Sequence, residues 1–232
     1  MLSRLVLIAL LIPFCVSKPC LDPSIKAANN QQPLSNGDGD VNIMRPPTGG
    51  TYFSNPSYDC KHASQPHIYD VFSQLELHPK MLSQTMAKDA KFHIIGNHPL
   101  AGQYASLELF YVNGLWRLRK TYDDHISEFK IGIWAITGGC DEEWSIQEMH
   151  FNARSNVGKQ YGVVNVWLTR WRGHRIVEVR TYVDGAVVEE LLSENEIWYN
   201  STQDTVRTEF MPGPAGMPPS TIMEMLGDRS EL

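Results

Sequence analysis

The chain is poor in cysteine, in long apolar runs and in excess positive charge. Four cysteines occur in 232 residues, and none falls in a CxxC or Cys/His spacing of the kind that holds zinc. The eight histidines are scattered, with no HxH or HExxH pattern, so no metal site is expected. Lys and Arg number 20 against 26 Asp and Glu, a formal charge of −6. That sign opposes the counterion release that drives binding to a phosphate backbone, so nucleic acid is not an expected partner. A Gly-rich phosphate loop, a Ser/His/Asp triad and a Cys/His nucleophile motif are all missing, which leaves no cofactor implied.

The apolar run that does occur is N-terminal. Arg4 precedes Leu5 to Val16, too short to cross roughly 30 Å of hydrocarbon. It reads as a secretory signal peptide, residues 1–17, with small residues at Cys15 and Ser17 setting cleavage before Lys18. Secretion is therefore expected, without a membrane span after signal removal. Asn200-Ser201-Thr202 is the single sequon and makes Asn200 the expected glycosylation site, because Asn55-Pro56-Ser57 carries proline. Cys20, Cys60 and Cys140 remain, and three cannot all pair within one chain. Cys20 with Cys60 can staple the N-terminal segment in an oxidising lumen, which leaves Cys140 as a free thiol in a glycine turn. The terminal Arg229-Ser230-Glu231-Leu232 ends in Glu-Leu but mismatches an ER-retrieval tail in its first two positions, so ER retention is not expected.

Apolar residues make up 42% of the chain and include 6 Trp, 9 Tyr and 8 Phe, enough for a sizeable core. Residues 18–65 are rich in Asn, Gly, Pro and Ser and read as an irregular leader; residues 200–232 read as a Pro/Gly-rich tail. The Asp38/Asp40 pair lacks the spacing and terminal Glu of a calcium loop. Residues 66–199 are left as the domain. Within it, Ser64 and Pro66 open a helix whose apolar face is Ile68, Val71, Phe72 and Leu75, ended by Pro79. A short helix from about Pro79 to Ala87 leads to a strand at Phe92–Ile95. A longer helix carries Leu107, Phe110, Tyr111, Gly114, Leu115, Leu118 and Tyr122 on one face. After Asp124 the period changes from about 3.6 to 2. Four runs, Phe129–Thr137, Trp144–Ala153, Gln160–Trp171 and Ile176–Val183, form a meander, and Gly185–Leu192 is a closing helix. Helices first and antiparallel strands later indicate an α+β fold with a bent sheet around the helices.

Two segments carry a family likeness. His98-Pro99-Leu100-Ala101-Gly102-Gln103-Tyr104 after a strand, and Gly173-His174-Arg175-Ile176-Val177-Glu178-Val179-Arg180-Thr181-Tyr182-Val183-Asp184 at the last strand, resemble the SnoaL-like polyketide cyclases of the NTF2-like cone-fold superfamily. The resemblance covers about 66–192. It implies a cone of helices packed in a strongly curved, mostly antiparallel sheet around an apolar cavity, often in a homodimer. Fold alone does not fix function, since members include cyclases, isomerases and dehydratases as well as proteins that only bind.

The resemblance places an acid at the end of the Tyr-x-Asp pattern in the cavity, and Asp184 stands there. Alternation agrees that Glu178, Arg180, Tyr182 and Asp184 share one polar face, opposite Val177, Val179 and Val183. Asp184 is the candidate general acid or base; a helix N-cap before Gly185 is the competing reading. His150 on the second meander strand is its candidate partner, against a satisfied strand histidine. Tyr182 shares the polar face with Asp184 and joins the candidate binding residues. Trp134, Trp167 and Phe110 are candidate wall residues for a planar hydrophobic ligand, although core packing explains them equally. His98 and Tyr104 flank the Pro-Leu-Ala-Gly loop at the expected rim. Two functions follow. One is a cofactor-free cyclase, isomerase or dehydratase acting by acid-base chemistry on a hydrophobic carbonyl compound. The other is a non-catalytic secreted module that binds a hydrophobic ligand or a protein on the same fold. Thr181 and Gly162-Val163-Val164 replace more polar residues of the relatives and favour the second.

Overall fold

A computed structural model describes residues 50–74, 78–195 and 201–227. Its strands, in chain order, are β1 (Tyr52–Phe53), β2 (Met86–Ile95), β3 (Gly102–Tyr104), β4 (Lys130–Gly138), β5 (Trp144–Arg154), β6 (Gln160–Arg172), β7 (Arg175–Tyr182) and β8 (Val206–Arg207). They form one mixed sheet in the order β1-β4-β5-β6-β7-β2-β3-β8. Helices pack against this large curved sheet, which makes the fold α+β.

The meander follows its period-2 pattern. In β6 the buried residues are Tyr161, Val163, Asn165, Trp167, Thr169 and Trp171, alternating with residues more open to solvent. Antiparallel pairing runs through β4, β5, β6 and β7, while β2 joins β7 in parallel. Between Met86 and Lys91 the β2 register slips: five steps of β2 oppose two of β7, so residues 87–90 bulge from the ladder.

The first helix, α1 (Gln65–Phe72), is capped by Ser64, whose side chain accepts from the His67 amide. It buries Ile68, Val71 and Phe72; Leu75 lies outside the described residues. Pro79 opens α2 (Pro79–Thr85), where its missing N–H costs nothing. The long helix is composite: α3 (Leu107–Phe110), a π-helical segment (Tyr111–Trp116) and α4 (Arg117–Lys120). Phe110 stacks on Phe92 and meets Tyr104 and Trp167 edge-on. Burying each such aromatic contributes about 2–3 kcal/mol. A 3-10 turn at Asp123–Glu128 precedes β4, and α5 (Gly185–Asn195) follows β7.

The described parts of both flanks are more ordered than their composition implies. In the leader, β1 pairs in parallel with β4. In the tail, β8 pairs in parallel with β3, and α6 (Ser220–Gly227) packs on α2 with Leu226 fully buried.

The expected cysteine pairing is corrected here. Cys60 is bonded to Cys140, and Cys20 lies outside the described residues. The reason is backbone pairing that spacing does not reveal: the His62 amide donates to the Cys140 carbonyl and the Cys140 amide donates to Ala63, at 2.6 and 2.8 Å. Gly138, Gly139 and Cys140 all have positive φ, which turns Cys140 back toward residue 60. Gly139 is needed twice over, because a Cβ there falls 2.9 Å from Ile68. The signal segment 1–17 and Asn200 also lie outside the described residues.

Candidate active site

Register places the helix-facing side chains of the sheet in rows. One row runs Ser145, Thr169, Val179, Phe92, Tyr104, and the next runs Gln147, Trp167, Thr181, Ile94, Gly102. Met149 and Asn165 begin a third. Trp167 is held between Phe72 of α1 and Phe110 of α3, with ring centroids at 5.6 and 6.0 Å.

The polar groups of these rows fall into two contrasting sets. Toward the β6–β7 turn, Ser145, Gln147, Thr169 and the Trp171 indole satisfy one another. Ser145 and Thr169 hydroxyls lie 3.0 Å apart, and the Trp171 Nε1 donates to both at 2.8 and 2.9 Å. This closed network rigidifies that end of the core. Further along the strands the reverse holds. Asn165 and Thr181 are 4% and 2% exposed, yet Asn165 Oδ1 and Thr181 Oγ1 find no hydrogen-bond partner among the described residues. Leaving such atoms unpaired costs about 1–3 kcal/mol each.

His98 follows the end of β2, where Ile94 pairs with Thr181. Its ring folds over Gly96, where a Cβ would fall 2.6 Å away, and sits 3.4 Å from the corresponding point on Gly185. Gly96 and Gly185 therefore make room for it. Nε2 lies 3.3 Å from the Ile95 carbonyl, while Nδ1 is buried and has no partner among the described residues. Burial holds its pKa below the ordinary 6.5, against the smaller opposing pull of the Ile95 carbonyl and Glu189.

The C-terminal segment fixes the loop that carries His98. Arg207, buried, donates to the carbonyls of Pro99 and Ala101 and to the Ser201 hydroxyl. Gln203 N–H donates to the Gly96 carbonyl at 3.0 Å. From the π segment, Asn113 donates to Glu209 O and accepts from Met211 N–H, and the Trp116 indole donates to Gly216 O.

The structure does not unite the expected acid/base pair. Asp184 is exposed, and its carboxylate accepts the amides of Ala186 and Val187 at 3.2 and 3.3 Å, the N-cap of α5. The alternation was right but the face was not: helices cover the Val179/Thr181 side of β7, so Glu178, Arg180, Tyr182 and Asp184 look outward. Tyr182 is 44% exposed on that outer face. His150 is buried but belongs to the outward alternation of β5, two strands from β7; it stacks on Trp134 at 5.1 Å and lies near Asn152. Burial lowers its pKa. Trp134 thus belongs to the outer side. Trp167, Phe110, Tyr104 and His98 are all buried, the first three in one aromatic cluster. Among the described residues, no group of three His, Cys, Asp or Glu is placed to hold a metal, and no helix is long and apolar enough to cross a membrane.

Comparison with known proteins gives the relationship. The chain is 39% identical over 210 residues to "Dimerizing cyclase phiC" from Fungal sp., covering 90% of this chain and 92% of that protein. It is 39% identical over 176 residues to "Dimerizing cyclase tstC" from Talaromyces stipitatus, covering 75% and 77%. The chain belongs to this cyclase family. No protein-family model matches it. Solved structures with a similar fold include an NTF2-like protein from Burkholderia thailandensis (16% identity, TM-score 0.46, covering 55% of this chain and 95% of that one). Another, from Jannaschia sp. CCS1, is described as a SnoaL-like polyketide cyclase (12% identity, TM-score 0.44, covering 59% and 95%).

In this chain, sequence reasoning missed Asn165 and Thr181 as polar groups of the interior. Thr181 was noted only as the replacement of a more polar residue. A polar residue on the apolar alternation of a strand is the signal that finds both: Asn165 between Val163 and Trp167, Thr181 after Val179.

Proposed function

We propose that the protein is a cofactor-independent cyclase that takes a hydrophobic carbonyl compound between the concave sheet and the helices. The observation that carries this reading is the 39% identity, over 90% and 75% of the chain, to two proteins named dimerizing cyclases. Taken at its word, that name suits an enzyme that joins two substrate molecules as it closes a ring. The aromatic interior around Trp167 suits an apolar body, and the unpaired polar atoms at Asn165, Thr181 and His98 suit its oxygens. A non-catalytic module has the shared fold and the apolar replacements at Thr181 and Gly162-Val163-Val164 in its favour, but no relative of that kind. The test is incubation of the purified protein with candidate enolisable carbonyl substrates and mass spectrometry of the products. A product of twice the substrate mass, beyond the uncatalysed background, is expected; its absence across a hydrophobic carbonyl panel overturns the reading.

The same proposal places the protein in the secretory pathway and as a homodimer. The Leu5–Val16 run and the Cys60–Cys140 disulfide support an oxidising compartment. N-terminal sequencing of the native product should begin at Lys18. Support for the homodimer comes from β6, where Val164, Val166 and Leu168 lie on the outward alternation and are only half-buried.

A further inference from the structure

Three buried side chains, each with a polar atom that finds no hydrogen-bond partner among the described residues, lie toward one end of β2, β6 and β7. Asn165 and Thr181 are diagonal neighbours on adjacent strands, since Thr181 pairs with Trp167 and Asn165 is two residues away on the same face. Such neighbours stand roughly 7–8 Å apart. Ile94 pairs with Thr181 and Ile95 with Tyr182, so Gly96, under the His98 ring, follows at the end of the same pair of strands. All three groups thus lie within the length of one small ligand. At the other end of the sheet Ser145, Gln147, Thr169 and Trp171 satisfy one another, so the interior polar side chains of β5, β6 and β7 divide into a satisfied set and an unsatisfied one. A roof is also present: the π segment approaches here, with a Cβ on Gly114 falling 3.1 Å from Ile94. Such π segments are often found at functional sites.

Resting on the cyclase reading above, we infer that His98 Nδ1 is the base that removes a proton from the carbon beside a substrate carbonyl, while Thr181 and Asn165 hold the carbonyl oxygen. The chemistry follows from the tautomer. With Nε2–H donating to the Ile95 carbonyl, Nδ1 carries a free lone pair and the imidazole is neutral. Substrate entry lifts the roof and brings the carbonyl oxygen to the Thr181 hydroxyl and the Asn165 amide. The C–H bond breaks toward Nδ1; its electron pair forms the carbon–carbon double bond of the enolate as the carbonyl π pair moves to oxygen. The enolate carbon then bonds to an electrophilic carbon of the second substrate molecule, and the proton on Nδ1 passes to the atom that has taken up the displaced electron pair. Nothing is oxidised or reduced, and no further reactant is needed.

The probe is 4-phenyl-2-butanone in D2O, followed by NMR. The wild-type protein should exchange its α-hydrogens above the buffer background. His98→Gln, which keeps a donor for Ile95 but has no basic nitrogen, should lose about 10²–10⁴ of that exchange. Thr181→Val, which removes only the hydroxyl, should lose about 10²–10³ while its melting temperature holds or rises, because an unpaired buried hydroxyl is gone. A merely structural role would lower melting and exchange together. Full exchange by a folded His98→Gln overturns the assignment while leaving the cyclase reading intact, as does an exchange loss in Thr181→Val that tracks a fall in melting. Absence of exchange by the wild type overturns the assignment as well; dimeric product from the substrate panel would then still uphold the cyclase reading.

Discussion

Asp184 stands where a strand turns into a helix, and its carboxylate is used by the helix. Two amides of the first turn of α5 point at it, and the helix dipole favours its negative charge there. Asp184→Ala should therefore cost about 1 kcal/mol in thermal or urea unfolding, and Asp184→Asn, an equally good cap, should cost almost nothing. Turnover should survive both changes. The buried imidazoles respond to acid instead. Burial lowers the pKa of His67, His98 and His150, and the neighbouring His174 adds to the effect at His67. With folded values below the unfolded one, the unfolded chain takes up protons first as the pH falls. Their contribution is full above about pH 6.5 and is lost as the pH drops from there through the folded values. Melting temperature should fall between about pH 7.5 and about pH 5.5, and the combined His67→Gln, His98→Gln, His150→Gln chain should show a flatter dependence over that window.

Elements with a clear period were legible, and those held by a few specific bonds were not. The four meander runs appear within two residues of their observed ends because alternation over eight or more residues leaves one choice of structure. Which face of β7 the helices would cover was not legible, since alternation defines two faces and names neither. That single ambiguity sent Asp184 and Tyr182 to the wrong side. The tail was misread for another reason: β8 is two residues long and α6 eight, both set among Pro and Gly, so neither shows a period. They persist because Asn113 and Trp116 donate to the tail carbonyls of Glu209 and Gly216, while the Gln203 side chain accepts from the Gly96 amide and the Arg207 side chain donates to the Pro99 carbonyl. Asn113, itself buried, is the point of that arrangement most open to test. Its amide both donates to Glu209 and accepts from Met211, so Asn113→Ala leaves two backbone groups unpaired. Limited proteolysis should then cut within residues 208–219 at least about tenfold faster than in the wild type, corresponding to about 1.4 kcal/mol of local opening, while the meander stays resistant.

At the scale of the whole molecule the sheet has one face under helices and one that no helix among the described residues covers, and the second is not built for water along its centre. A solvated face of an antiparallel sheet alternates apolar-in and polar-out. In β6 the outward positions Val164, Val166 and Leu168 are aliphatic, and they pair in register with His150, Glu148 and Ile146 of β5. Across β7, Tyr182 pairs with Val166 and Arg180 with Leu168. Ile146 and Tyr182 remain 40% and 44% exposed, so the strip is only partly covered by its own neighbours. Its rim is charged in both signs, with Glu148 on one side and Arg180 on the other, which is the arrangement a self-complementary two-fold contact requires. If a second copy covers this strip, Val166→Lys places two unpaired ammonium groups in one buried contact, at a cost of several kcal/mol per dimer. Light scattering at micromolar concentration should then report a dimer for the wild type and a monomer for Val166→Lys, with an unchanged far-UV spectrum because the substituted side chain lies outside the core. A wild type that runs as a monomer rejects the homodimer.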